Sequence, residues 1–173
     1  MGQKNLMKIS PIPVVSDSDV IIHLSKLEKL YLLQSLYTEV AVPEYVKSEI
    51  LNKKNAEIQN AIKSFLRVFA TDENKAKAIA EEHGIHIGEA HVKILGEALK
   101  ASLFLSNERK VRKAAKEEGF IVAGTIGVIL KAVKRGIIKK PEAIVLLEKM
   151  NSQDFRIHPD ILQRAIIALK DLQ

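Results

Sequence analysis

A change of period that recurs along this chain limits its fold more than any single residue does. Short runs rich in β-branched residues alternate with longer stretches whose apolar residues return every three or four positions. Parallel strands need a crossover of a dozen or more residues between them, usually a helix, so this alternation predicts an α/β fold with a parallel sheet covered by helices. The strand runs are IPVVS at 12–16, EVAV at 39–42, LFLS at 103–106 and FIVAG at 120–124, with RVFA at 67–70 as a candidate edge. That makes four to five strands. Helices are expected at about 18–36, 43–53, 55–65, 72–83, 87–100, 107–118, 125–135, 141–150 and 159–171. Pro43 suits a first helical position, and Gly84, Gly119 and Gly136 stand where helices should stop.

At 173 residues the chain fits one domain with a substantial core, and the expectation is a single unit over 1–173. Residues 1–11 read as a flexible extension and 137–173 as closing helices packed on the domain or on a partner. Apolar residues at 47% and charged residues at 28% exclude a disordered chain. The longest apolar stretch, FIVAGTIGVIL, is shorter than the roughly 18 residues of a membrane span, so no membrane role is expected. MGQKNLMK lacks the apolar core of a signal peptide. The absence of cysteine removes thiolate metal sites and thiol nucleophiles and fits a cytoplasmic location. A net charge of +6 favours a polyanionic partner.

Ligands of a parallel sheet bind beyond the carboxyl ends of its strands, so the polar residues that follow each strand carry the functional signal. These are mostly acids. Asp17 and Asp19 follow the first strand, Glu44 and Glu49 the second, and Asn107 and Glu108 the third, while Glu89 opens the helix at 87–100. Any one of them has an ordinary explanation as a helix cap or a solvated charge. Carboxylates gathered from several strand ends repel one another unless a cation sits among them, and hard divalent cations suit such oxygen donors.

Four blocks, VVSDSDVIIHLSKLEKLYLL, VAVPEYVKSEI, GEAHVKILGEAL and LFLSNERKVRKAAKEEGFIVAGTIGVIL, resemble in that order the successive blocks of PIN-domain proteins. The resemblance covers about residues 14–170 and is nearest to a VapC-like toxin branch with an SDxSxLI start, a GEA helix and a GTLG segment. It implies a three-layer α/β/α sandwich around a parallel sheet. It also implies a ribonuclease dependent on Mg2+ or Mn2+, a role as the toxin of a toxin-antitoxin module with a small antitoxin partner, and a homodimer. By the same resemblance Asp17 is the first acid of the active site, Glu49 the second and Glu89 the third, with Glu97 of the second GEA triplet as competitor. Asp19 stands where the family more often has Ser, Thr or Asn and is a further candidate ligand. The fourth block departs from the family: Ser106, Asn107 and Glu108 replace Asp-Asp or Thr-x-Asp, leaving Glu108 as fourth acid and Ser106, Asn107 and Thr125 in support.

Arg109, Lys110, Arg112, Lys113 and Lys116 fall on one helix beginning beside this block, where they suit an RNA backbone or simply a solvated face. His83, His86, Glu89 and His91 carry enough donors for zinc, although Gly84 divides them between two helices. His23 reads as a packing residue and His158 as a loop residue. Asp17 and Asp19 also have the spacing of a haloacid-dehalogenase-type phosphatase, whose remaining blocks are missing. A non-enzymatic alternative is a weakened PIN-like module for RNA or protein binding, with Asn107 as the mark of lost activity.

Overall fold

Five strands and ten helices are found among the residues described by the computed structural model, 13–152 and 154–172. The extension expected at 1–11 lies outside them. Strands β1 (Val14–Ser16), β2 (Val40–Pro43), β3 (Leu66–Phe69), β4 (Leu103–Leu105) and β5 (Ile121–Ala123) form one parallel sheet in the order β3-β2-β1-β4-β5. The register sets Val15 beside Ala41 on one side and Phe104 on the other. RVFA is thus a true strand at one edge, paired from Leu66 to Phe69 with β2.

The helices are α1 (Ser18–Lys26), α2 (Tyr31–Tyr37), α3 (Glu44–Leu51), α4 (Ala56–Ser64), α5 (Glu73–His83), α6 (Ile87–Ala98), α7 (Arg109–Glu117), α8 (Thr125–Lys134), α9 (Lys140–Lys149) and α10 (Pro159–Asp171). They flank the sheet as a PIN-like sandwich requires. α1, α2, α4 and α8 pack among themselves, while α6 lies on β1 and β2 with α5 against it, and α7 covers β5. α9 and α10 close the structure on α8. Their inward residues, Leu146, Leu147, Leu162 and Leu169, belong to the same core as Val15, Val42 and Phe104 of the strands.

The single helix expected over 18–36 is broken into α1 and α2. Leu27 and Leu30 keep the apolar rhythm and are buried, but Glu28 between them turns left-handed at φ 56. Long-range groups hold that break: Glu57 accepts from the Leu30 amide at 2.9 Å and Lys29 pairs with Glu142 at 2.7 Å. Pro43 ends β2 in extended conformation and precedes α3 as its cap, one place earlier than expected. Gly84 and Gly119 do stop helices, at φ +60 and +86. The apolar residues of α10 divide: Leu162 and Leu169 turn inward, whereas Ile161 and Ile167 stay about half exposed. No helix among the described residues is long and apolar enough to cross a membrane.

Candidate functional site

The direction of chain progression reverses at β1. The chain moves outward through β2 and β3 on one side, then crosses back to β4 and β5 on the other, which opens a crevice at the carboxyl ends of β1 and β4. The Asp17 amide donates to the Leu105 carbonyl at 3.0 Å, so the ladder binds the two strand ends together where the acids begin. Asp17 then caps α1, its Oδ1 accepting from the Val20 amide at 3.2 Å.

A cavity of about 350 Å³ opens here, walled by Asp17, Asp19, Glu49, Glu89 and Glu108 with Ser18, Val46, His86 and Gly88. The sequence-predicted acids therefore meet at one place, from the segments after β1, β2 and β4 and from the start of α6. Gly88 allows the approach of α3: a Cβ there would stand 3.3 Å from Glu49 Oε2 and 3.2 Å from the Tyr45 ring. Glu89 is the third residue of α6 and closes a capping box with His86. Its Oε2 accepts from the His86 amide at 2.9 Å while His86 Nδ1 accepts from the Gly88 amide at 3.2 Å. Capping and cavity lining thus coexist in Asp17 and in Glu89.

Glu97 and Glu44 are exposed and outside this cavity. The second GEA triplet has a packing reason instead, since a Cβ on Gly96 would fall 2.1 Å from the Phe104 ring. Gly96 lets α6 lie close on β4.

Burial is uneven along this wall: Asp17 is buried, Asp19, Glu49 and Glu89 are half-buried and Glu108 is exposed. Asp17 is only 6% exposed, and burial pushes its carboxyl up to about 7, with Asp19 and Glu89 adding repulsion and hydrogen bonds from Ser106 and Val20 opposing it. Glu89 is also raised, chiefly by burial, then by the charges of Glu108 and Asp19. Hard oxygen donors facing one cavity, two of them with disfavoured charge, fit a divalent cation. Among the described residues no three His, Asp or Glu side chains converge tightly enough to ligate one ion directly. The donor set suits Mg2+ or Mn2+, which keep several waters between themselves and the protein.

Asn107 takes no part in that wall. Its Oδ1 accepts from the Thr125 amide at 2.8 Å, capping α8 from outside the helix, and its Nδ2 lies 3.0 Å from Thr125 Oγ1 and 3.1 Å from His23 Nδ1. Thr125 is fully buried in this contact, and Ser106, also fully buried, accepts from the Glu108 amide at 3.2 Å. The three supporting residues hold β4, α8 and α1 together; of the fourth block Glu108 lines the acidic cavity and Ser106 hydrogen-bonds Asp17. His23, read as a packing residue, is a buried member of this polar contact.

The four possible zinc donors do not converge, and two of the histidines are the exposed and capping residues that the break at Gly84 suggests. His91 is buried between Thr71 and Glu73, at 2.7 and 3.1 Å, and stacks on Tyr45, while His86 caps α6 and His83 lies exposed at the end of α5. His158, expected in a loop, caps α10.

Of the five cations on α7, Arg112 lines a second, larger cavity of about 790 Å³. Lys110 reaches the Gly84 carbonyl at 3.3 Å and Lys113 pairs with Glu117 at 3.9 Å; Arg109 and Lys116 are exposed. Lys26, Lys53 and Arg156 also line the second cavity and were not predicted. They come from three separate segments, and no local charge run marks them.

A parallel α/β sandwich with an acidic crevice at its switch point has its ligand site where such sheets bind their ligands. The profile of the DUF3368 family, described as a PIN domain, matches residues 13–171, and the chain belongs to that family. PIN domains are typically nucleases and generally use divalent metals such as Mg2+ or Mn2+. No curated protein matches the chain. Among solved structures it is similar to PAE2754 from Pyrobaculum aerophilum, at 16% identity and a TM-score of 0.48 over 70% of this chain and 92% of that one.

Proposed function

We propose that this protein is a divalent-metal-dependent endoribonuclease that hydrolyses RNA phosphodiesters, with Asp17, Glu49, Glu89 and Glu108 as its catalytic acids and Asp19 as an additional ligand. The observation that carries the reading is the convergence of these five carboxylates on one 350 Å³ cavity at the β1/β4 crevice. Capping α1 and α6 accounts for Asp17 and Glu89 one at a time, but not for five carboxylates facing one cavity, where like charges repel one another unless a cation sits among them.

Asp17, the most buried acid, would hold the ion from the end of β1, with Glu49 and Glu89 on either side, directly or through water. When bound, Mg2+ or Mn2+ supplies an activated water and neutralises charge on the phosphoryl oxygens. Glu108, exposed and opposite, would orient the attacking water or a second ion. Ser106 holds the Glu108 amide and contacts Asp17, and so keeps the two acids in register. The tie from Asn107 to Thr125 and His23 weakens the binding-module alternative, because Asn107 performs a packing task and does not occupy a ligand position. Family membership likewise favours a nuclease over a phosphatase.

The toxin role, the small antitoxin and the homodimer are proposed only from the likeness of SDSDVII, GEA and GTIG to the SDxSxLI, GEA and GTLG blocks of that branch. The test is cleavage of mixed single-stranded RNA by the purified chain with Mg2+ or Mn2+, beside EDTA and the variants Asp17→Asn and Glu108→Gln. Cleavage abolished by EDTA and by Asp17→Asn is expected, with a partial loss for Glu108→Gln. Cleavage that survives Asp17→Asn would sink the assignment.

A further inference from the structure

The second cavity, of about 790 Å³, touches the acidic one through a shared wall, since Asp19 and Glu108 line both. Its size falls in the range of roughly 300–1,000 Å³ that small ligands occupy, room for a nucleotide with its backbone. Lys26, Lys53, Arg112 and Arg156 stand around it, while Ile126 and Leu130 give it an apolar side. Cations at the rim, an apolar wall and continuity with the carboxylates together suit one class of occupant, a nucleotide of a single-stranded RNA.

His23 lines this cavity with its donor already set. The Thr125 amide can only donate, so the atom of Asn107 facing it is Oδ1 and the other, Nδ2, is a donor aimed at His23 Nδ1. That donor at 3.1 Å is nearer to Nδ1 than Thr125 Oγ1 at 3.4 Å, so the shorter contact has Nδ1 accepting, and in the neutral ring the proton then lies on Nε2. Nε2 meets no hydrogen-bond partner among the described residues, and no buried side-chain nitrogen among them lacks one, so Nε2–H opens into the cavity. Phe155 braces the ring edge-on at 5.2 Å. Three contacts fix an N–H that nothing among the described residues uses.

We propose that this cavity receives the nucleotide adjacent to the phosphodiester being cut, and that His23 Nε2–H is a positioning donor to an acceptor on it. The inference rests on the nuclease reading for the words "being cut". Binding is therefore measured separately, by fluorescence anisotropy of a labelled, mixed-sequence, single-stranded RNA in EDTA, where no cleavage occurs. The full chain is compared with His23→Met, His23→Gln and the pair Lys53→Glu with Arg156→Glu, each checked by thermal melting.

His23→Met fills the space without a donor and should loosen binding roughly tenfold, the value of one hydrogen bond to a charged group. Gln carries an N–H at similar reach and should recover most of that loss. The charge-reversed pair should weaken binding more and flatten its salt dependence. With metal present, His23→Met should change which bases flank the cut sites, a shift that a merely packing role would not produce. Unchanged affinity and cut-site preference in all three variants overturn the inference and leave the nuclease standing, as does a failure of the wild type to bind RNA in EDTA. A wild type that binds but never cuts refutes the nuclease, and the binding arms still decide the cavity.

Discussion

Replacing Asp17 by Asn should stabilise the metal-free protein while destroying its proposed activity. The carboxyl ionises near 3.8 in the unfolded chain and at about 7 in the folded one, because burial, Asp19 and Glu89 all disfavour its charge. The folded state thus binds the proton more tightly. Stability from this group is fully present below 3.8 and is lost as pH rises through 7. At 1.36 kcal/mol per tenfold difference in proton affinity, the ionised carboxylate costs roughly 4 kcal/mol at pH 8 and under about 2 kcal/mol at pH 5. Asn keeps the shape, remains a good N-cap toward the Val20 amide and has no charge to bury. In denaturant titrations with EDTA, Asp17→Asn should exceed the wild type by about 2–4 kcal/mol at pH 8, and the gap should narrow by about half or more at pH 5. Mg2+ or Mn2+ at pH 8 should then stabilise the wild type more than the variant, since only the ionised acid offers a ligand. A variant no more stable than the wild type at pH 8, or a gap that ignores pH, would refute the account of Asp17 as a strained, cation-demanding charge.

Glu89→Gln should lower RNA cleavage by at least about tenfold, the cost of one lost charge contact, while Glu97→Gln should leave it unchanged; equal effects in a gel-based assay would mean the wrong GEA triplet was assigned. Gly96→Ala should destabilise by about 1–3 kcal/mol or more, because the methyl meets the Phe104 ring, and urea unfolding would show it. Asn107→Ala should cost about 1–2 kcal/mol in the same measurement by uncapping α8 and freeing His23.

Much of the sheet was legible because each strand run is short, β-branched and bounded by turn or capping residues. The acids were legible because a parallel sheet gathers whatever follows its strands. What escaped notice depends on distant partners. The break at Glu28 is hidden by Leu27 and Leu30, which keep the helical period, and only Glu57 and Glu142 explain it. Asn107 looked like a lost acid because spacing fixes its place after β4 but not its rotamer, which turns it toward Thr125 and away from Asp17. The unpredicted cations of the larger cavity, Lys26, Lys53 and Arg156, lie on α1, after α3 and before α10. A pattern search rewards the dense run on α7 instead.

The pairing of β1 with β4 also has a consequence in time. Val15 meets Phe104, a residue made about ninety positions later, whereas β2 and β3 find each other across two short helices, α3 and α4. At synthesis rates of about 5–20 residues per second, one side of β1 waits roughly 5–20 seconds for its neighbour. Asp17 and Glu108 follow the two strand ends that pair across this distance, so the acid set is complete only once the long-range pairing has formed. A nascent chain that ends before β4 would carry Asp17, Glu49 and Glu89 but neither Glu108 nor the second wall of the crevice.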